Sequence, residues 1–154
     1  MNNSLISRIR DFVLAVAGKL RWVPPTLARI TIGVVFVGTG WGKLHNLDKV
    51  INFFMQLGIP AARIQAPMVA TFELVCGAAI LVGLLTRLAV LPLICTMGVA
   101  ILTAKLKELT GLSDLFGTIE YLYIVLLVGL FVSGPGPLSI DQFICKRCAG
   151  TSDR

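Results

Sequence analysis

Apolar residues along this chain are gathered into four long blocks that short polar connections separate. The blocks cover residues 27–44, 67–86, 88–105 and 115–133, and each holds 18 to 20 residues. A helix needs about 20 predominantly apolar residues to cross a hydrocarbon core about 30 Å thick. We therefore predict an all-α, polytopic membrane protein whose domain at 26–141 is a bundle of four transmembrane helices.

The first 25 residues follow a different pattern. Apolar side chains recur at spacings of three or four and form one stripe along a helix; they are Leu5, Ile9, Phe12, Val16, Leu20 and Val23. Charged residues interrupt the segment too often for a span, which is typical of an amphipathic helix lying in the membrane interface. A cleaved signal peptide is the alternative. However, the apolar run at 12–17 is shorter than the usual seven to fifteen residues.

Composition agrees with a membrane environment. Of the 154 residues, 56% are hydrophobic and 14% charged, and the mean hydropathy is +0.86, whereas soluble domains are about 25% charged. The net charge is +6, and basic residues collect on the cytoplasmic flanks of membrane helices. Nine of the 14 Lys and Arg residues fall on the side of the two termini and five on the other. We expect both termini in the cytoplasm, contacts with membrane lipid and no nucleic-acid partner.

Ionisable residues inside the blocks need an explanation, because a charge at mid-span costs roughly 2.5–3.5 kcal/mol on insertion scales. The candidates are Arg29, Glu73 and Glu120. The rise of 1.5 Å per residue puts Glu73 about 9 Å and Glu120 about 8 Å inside their blocks. Both blocks begin on the face opposite the termini. We expect an outer polar cluster made of Lys43, His45, Glu73, Lys105 and Glu120.

Helical spacing favours a shared interior for some of these residues. Arg29, Gly33, Phe36, Gly40 and Lys43 fall on one face of the first span, and its glycines would let a neighbour approach closely. Tyr123 shares a face with Glu120 in the fourth span. These faces could line a pocket, with the two carboxylates as proton carriers. The alternative is structural: buried carboxylates and lysines can pair only to fix helix register.

The cysteines add little. Cys145 and Cys148 form a C-x-x-C motif in the polar tail at 142–154, flanked by basic residues that would lower a thiol pKa. A zinc site needs four ligands, so we expect no metal within one chain, and we keep a redox role for the dithiol as an open alternative. The single histidine excludes a haem with two histidine ligands. We likewise see no motif for a flavin.

Several of these residues together resemble the DoxX family of small bacterial four-helix membrane proteins. The resemblance covers residues 27–141 and is carried by Arg29, by Gly-Lys-Leu at 42–44, by Gly-Ile-Pro at 58–60, by Glu73 and by Gly-Pro-Gly-Pro-Leu-Ser-Ile-Asp at 134–141. It implies a multi-pass protein of the bacterial inner membrane. It also implies links to membrane oxidoreductase complexes and oxidative-stress defence. Because the chain has no evident flavin, haem or iron–sulfur centre, we expect a partner oxidoreductase protein or a homo-oligomer.

The resemblance and the buried charges lead to one functional hypothesis. A hydrophobic bundle with a few ionisable groups suits a quinone, whose carbonyls need a donor and whose reduction needs protons. Lys43 or Arg29 would bind a carbonyl oxygen, Glu73 and Glu120 would relay protons, and Phe36 and Tyr123 would flank the ring. Two alternatives remain: a non-catalytic assembly or scaffold subunit, and a small transporter.

Overall fold

The computed structural model describes residues 3–106, 109, 111–134, 136 and 139–141, and these residues form helices and connecting turns without strands. The predicted tail at 142–154, with Cys145 and Cys148, lies outside the described residues. The helices are α1 (Asn3–Lys19), α2 (Val23–His45), α3 (Leu47–Gln56), α4 (Ala62–Val82), α5 (Thr86–Ala100), α6 (Leu112–Gly117) and α7 (Ile119–Ser133). A short π-helical segment, Ile101–Lys105, continues α5.

Four of the helices pack side by side as a bundle. α2 packs on α4, α4 on α5, α5 on α7, and α7 on α2, which closes the ring. The interior of the bundle is apolar and draws on all four helices; its buried residues are Ile32, Phe36, Ile80, Ala89, Val90, Leu93, Met97, Leu127 and Leu130. Many apolar side chains on the outside stay exposed. A helix that is apolar on every side is what a bilayer, not water, accommodates.

The contact between α2 and α4 depends on glycine. A Cβ atom at Gly40 would lie 2.5 Å from the Leu74 nitrogen, and one at Gly77 would lie 2.9 Å from the Phe36 Cβ. Both distances are shorter than real Cβ atoms show, so only glycine lets the two backbones come so close. The glycines that the sequence placed on one face of α2 therefore meet a neighbouring helix.

Three helical stretches have the length and composition to cross a membrane: Val23–His45, Ala62–Val82 and Thr86–Lys105. Each begins earlier than the apolar blocks predict. α2 includes the two prolines at 24 and 25, because the first turn of a helix tolerates a residue without an N–H. α4 begins five residues before Pro67. The turn between α4 and α5 lies at 83–85, not at residue 87 between the second and third apolar blocks.

The fourth predicted span is divided in two. α6 ends at Gly117, Thr118 adopts an extended conformation, and α7 then runs for 15 residues. The Thr118 hydroxyl accepts a hydrogen bond from the Tyr121 backbone N–H at 3.4 Å, which is how threonine caps a helix. Glu120 thus lies in the first turn of α7, not about 8 Å inside a span. At 1.5 Å per residue α7 is about 22 Å long.

The turn between α4 and α5 is bound by the segment that follows α7. The Asp141 carboxylate accepts hydrogen bonds from the backbone N–H of Leu85 at 2.8 Å and of Thr86 at 3.2 Å. The Asp141 N–H donates to the Gly83 carbonyl at 3.0 Å. A carboxylate at the start of α5 also suits the positive end of the helix dipole. These contacts join the segment after α7 to the turn between α4 and α5 at one end of the bundle.

Candidate functional site

A cavity of about 640 Å³ lies between α3, α4 and α5, at the end of the bundle opposite the Asp141 contacts. Its wall is mainly apolar and includes residues of all three helices. The charged or amide side chains among the described lining residues are Lys43, Lys49, Gln65 and Glu73. Ligand sites in proteins are typically cavities of this size, mostly apolar with a few convergent polar groups.

The Lys43 ammonium and the Glu73 carboxylate form an ion pair in the wall of this cavity. Lys43 Nζ lies 2.6 Å from Glu73 Oε1 and 2.7 Å from Oε2. The Glu73 side chain is 1% exposed, whereas the Lys43 side chain is 32% exposed. A carboxylate so deeply buried is tolerated because its charge is paired and hydrogen-bonded.

Local geometry explains why the two side chains meet. Glu73 is the twelfth of the 21 residues of α4, so it lies near the middle of that helix, deeper than the apolar blocks predict. Lys43 is in the last turn of α2. Gly40, one turn earlier, packs against the α4 backbone at Ala70 and Leu74. The close approach at Gly40 brings the Lys43 side chain within reach of Glu73.

The cavity opens on the surface of the bundle between α4 and α5. Phe72 on α4 and Val99 on α5 line it and are 42% and 49% exposed, and Cys95 on α5 is also exposed. In a bilayer, this surface faces the hydrocarbon chains. The cavity thus has exposed, mainly apolar residues of two candidate membrane spans at its edge.

An aromatic wall was missed in the sequence. Phe53 and Phe54 of α3 and Phe72 of α4 line the cavity. The sequence indicates a short surface helix at residues 50–57, and α3 forms there, beginning earlier at Leu47. Its strong segregation of apolar and polar faces was the available signal, because such a helix needs an apolar surface to cover.

The aromatic residues that the sequence did single out lie elsewhere. The rings of Phe36 and Tyr123 are 5.7 Å apart between centroids and tilted by 58°, and Phe36 is buried in the core of the bundle. Neither belongs to the described residues that line the cavity. The structure thus brings Phe36 and Tyr123 together, but apart from the Lys43–Glu73 pair.

The predicted outer cluster divides into two sites. Glu120 and Lys105 line a second cavity of about 560 Å³ together with Asp114 and Thr118. Among the described residues, no hydrogen-bond partner reaches Glu120 Oε2, a buried atom. His45 is part of neither wall as described; its Nδ1 lies 3.0 Å from the Trp41 carbonyl oxygen and its ring 4.4 Å from the Trp41 ring.

Arg29 lies at the far end of α2 from Lys43. The two residues are 14 positions apart, about 21 Å at the rise of an α-helix. Arg29 is 6% exposed, and a Cβ atom at Gly83 would lie 2.6 Å from its Nη1 and 2.7 Å from the Ser139 Cβ. The guanidinium is therefore packed between the α4–α5 turn and the segment after α7. This places Arg29 with the Asp141 contacts.

The cavity site can donate a hydrogen bond to a ligand. An ammonium carries three N–H donors, of which two face Glu73 among the described residues. The third is available to an acceptor in the cavity. The low polarity of the wall strengthens such a hydrogen bond. This arrangement suits a lipophilic ligand that carries a carbonyl or another acceptor.

The fold and the site define an all-helical membrane protein with an apolar, partly charged cavity inside its helix bundle. Comparison with known families is consistent with this class, since the DoxX family model matches residues 25–106. The chain belongs to the DoxX family. The matched range runs from the third residue of α2 to beyond the end of α5 and therefore includes both Lys43 and Glu73.

Similar proteins occur in distant bacteria. The chain is 33% identical over 144 residues to the Mycobacterium tuberculosis protein named "Uncharacterized membrane protein Rv3486", which covers 85% of this chain and 88% of the relative. It is 31% identical to the Bacillus subtilis protein named "Putative oxidoreductase CatD", over 78% of this chain and 86% of the relative. It is 30% identical to the Escherichia coli "Inner membrane protein YqjF", over 84% of this chain and 98% of the relative. No solved structure matches.

Proposed function

We propose that this chain is a quinone-binding membrane subunit of an oxidoreductase complex in the bacterial inner membrane. The observation that carries the proposal is the Lys43–Glu73 pair in the wall of an apolar cavity that opens between α4 and α5. A quinone is apolar apart from its carbonyl oxygens, and it resides in the bilayer into which this opening faces. The word oxidoreductase in the name of the Bacillus subtilis relative also supports a redox role.

In this proposal the two charged residues have distinct tasks. Lys43 donates its third N–H to a quinone carbonyl oxygen. Glu73 relays the protons, taking each one up from water before it passes the proton to a reduced oxygen. Reduction of a quinone to a quinol takes two electrons and two protons. The electrons would come from a partner protein with its own redox centre. Phe53, Phe54 and Phe72 would contact the ring, in place of the Phe36 and Tyr123 that the sequence indicated.

Glu120 would act separately from Glu73. It lies in the first turn of α7, in the cavity that it shares with Lys105. We propose that it exchanges protons at the end of the bundle, away from the ring. Arg29 would have no direct contact with the ligand, because it is packed against Gly83 at the other end of α2.

The proposed topology has four spans, with α7 as the fourth and shortest, and both termini in the cytoplasm. α1 would lie in the interface, since the described part of its surface exposes Phe12, Leu14 and Val16. Reporter fusions after Lys19 and in the loop at Ile59 test this topology. A cytoplasmic signal at the first site and a periplasmic signal at the second are expected. The same compartment for both would contradict it.

Quinone binding is tested by native mass spectrometry and quinone extraction on protein purified in a mild detergent. Wild type and Glu120→Gln should retain quinone, whereas Glu73→Gln should lose it, since the two substitutions remove the same charge from different cavities. Absence of quinone from wild type purified from quinone-rich membranes, and after added quinone, would refute the proposal. Equal retention in both variants would remove Glu73 from the site.

A second candidate function is an assembly subunit without a small ligand. It is favoured by the position of the ion pair, which joins α2 to α4 and would fix the register of the two helices. This candidate predicts a stoichiometric protein partner, no quinone in any variant, and a loss of stability in Glu73→Gln. Copurification of both quinone and a protein partner would favour the quinone-binding subunit over the assembly subunit.

A further inference from the structure

We infer that the outer mouth of the α3–α4–α5 cavity binds the head group of an anionic phospholipid through Lys49, with one acyl chain in the apolar groove between α4 and α5. This goes beyond the proposed function, because it uses Lys49 and the mouth and does not need the Lys43–Glu73 pair. The inference depends on the charge of the wall, on the position of α3 and on the lateral opening.

The charge of the cavity is unequally distributed. Glu73 and Lys43 neutralise each other through two hydrogen bonds. The remaining charged residue among the described part of the wall is Lys49, and no described carboxylate lies within ion-pair distance of its ammonium. Asp48, its neighbour in sequence, is not among the described lining residues. Among the described residues of the wall, Lys49 is therefore the positive charge that no described carboxylate compensates, and it favours a ligand with a negative group.

The position of Lys49 matches that of a lipid head group. α2 ends at His45, and Lys49 lies in α3, beyond the end of that long apolar helix. α3 has no buried residue, and Val50 and Phe53 line the cavity beside Lys49. An amphipathic helix of this kind lies at the boundary between head groups and acyl chains. Gln65, on the first turn of α4, adds an amide at the same mouth.

The groove below the mouth accepts an acyl chain. Met68, Cys95 and Val99 line it, and all three are exposed on the bundle surface, so the acyl chain would lie between α4 and α5 and remain continuous with the bilayer. A single basic residue near the membrane surface attracts an anionic lipid by an amount that corresponds to about a fivefold change in affinity. We therefore expect about a fivefold preference for phosphatidylglycerol over phosphatidylcholine with the same chains.

The test is native mass spectrometry of the full, delipidated protein titrated with each of the two phospholipids. Lys49→Gln should abolish the fivefold preference and Lys49→Arg should retain it. Arg63→Gln is the matched control, because Arg63 is an exposed cation on the first turn of α4 that is not among the described lining residues. It should keep the preference. Equal binding of both lipids by wild type, or an unchanged preference in Lys49→Gln, would overturn the inference.

Further arms separate this inference from the quinone proposal and from other ligands. Glu73→Gln should keep the lipid preference even where quinone is lost. Lipid preference without quinone would refute the quinone proposal alone; quinone without lipid preference would refute this inference alone. Oleate, which has a carboxylate and one chain, is the second probe. If it displaces phosphatidylglycerol at equal concentration, the site recognises any anionic amphiphile, and the assignment to a phospholipid is overturned.

Discussion

The ion pair between Lys43 and Glu73 provides a thermodynamic test of the site. Lys43→Met would leave the Glu73 carboxylate, which is 1% exposed, buried without its partner. Breaking a buried pair from this side costs about 3–5 kcal/mol. Glu73→Met would leave Lys43, which is 32% exposed and close to the end of α2. Its flexible stem lets the ammonium reach the boundary, so the loss is that of hydrogen bonds to a charged group, about 1.5–3 kcal/mol.

The double variant separates the pair from its two residues. Replacing both ends of a buried pair by apolar side chains of similar size is often neutral or stabilising. Lys43→Met with Glu73→Met should therefore be near wild type in stability, at least about 3 kcal/mol better than the sum of the two single changes. Such a protein would keep its fold and lose quinone, which distinguishes a ligand role from a structural one.

The measurement is reversible unfolding in mixed micelles, followed by circular dichroism while the fraction of denaturing detergent is raised. Arg63→Met, an exposed substitution on α4, serves as the control and should change the free energy of unfolding by less than about 0.5 kcal/mol. Additivity of the two single changes within about 0.5 kcal/mol would refute the reasoning. In that case the two charges would not be paired in the membrane-embedded protein.

Three further predictions concern helix packing, the Asp141 contacts and the cavity. Gly40→Ala should cost about 1–3 kcal/mol of stability in the same unfolding assay, because its Cβ would meet the α4 backbone. The control Gly38→Ala, with no atom within 4 Å, should not destabilise, and equal losses of stability in the two variants would contradict the packing argument. Asp141→Ala should cost about 1–2 kcal/mol, because α5 loses its N-terminal acceptor; unchanged stability would mean that the contact does not form. Phosphatidylglycerol should slow maleimide labelling of Cys95 in the cavity but not of Cys76 on the core side, with the labelling of each cysteine measured by peptide mapping. Equal slowing at both cysteines would argue against a lipid at Cys95.

Much of the α2–α4 contact could be predicted because it follows from helical periodicity. Gly33, Gly40 and Lys43 recur at spacings that put them on one face of a helix, and glycine on such a face indicates a close neighbour. The neighbour itself could not be derived from spacing. That Glu73 meets Lys43 and not Lys105 depends on which helices are adjacent in the bundle, a property of the tertiary structure.

The features that the sequence did not predict are set by local geometry or by distant contacts. The apolar run through residues 115–133 is continuous in composition, and only the extended conformation at Thr118 divides it into α6 and α7. The Asp141 contacts join residues 55 and 56 positions apart. The cavity wall from α3 is equally non-local, since a short amphipathic helix does not specify the surface that it covers.

The residues that carry the resemblance to the DoxX family form two groups, one at each end of the bundle. Arg29 and the Ser139–Asp141 segment meet at Gly83. There the Asp141 carboxylate and N–H hydrogen-bond to the backbone of the turn between α4 and α5. Substitutions there should alter stability, because the contacts are made within the protein. Lys43 and Glu73 lie at the other end, in the wall of a cavity that is open to the membrane. There a substitution changes groups in the cavity wall, so its effect on ligand binding should exceed its effect on the fold once both charges are replaced together.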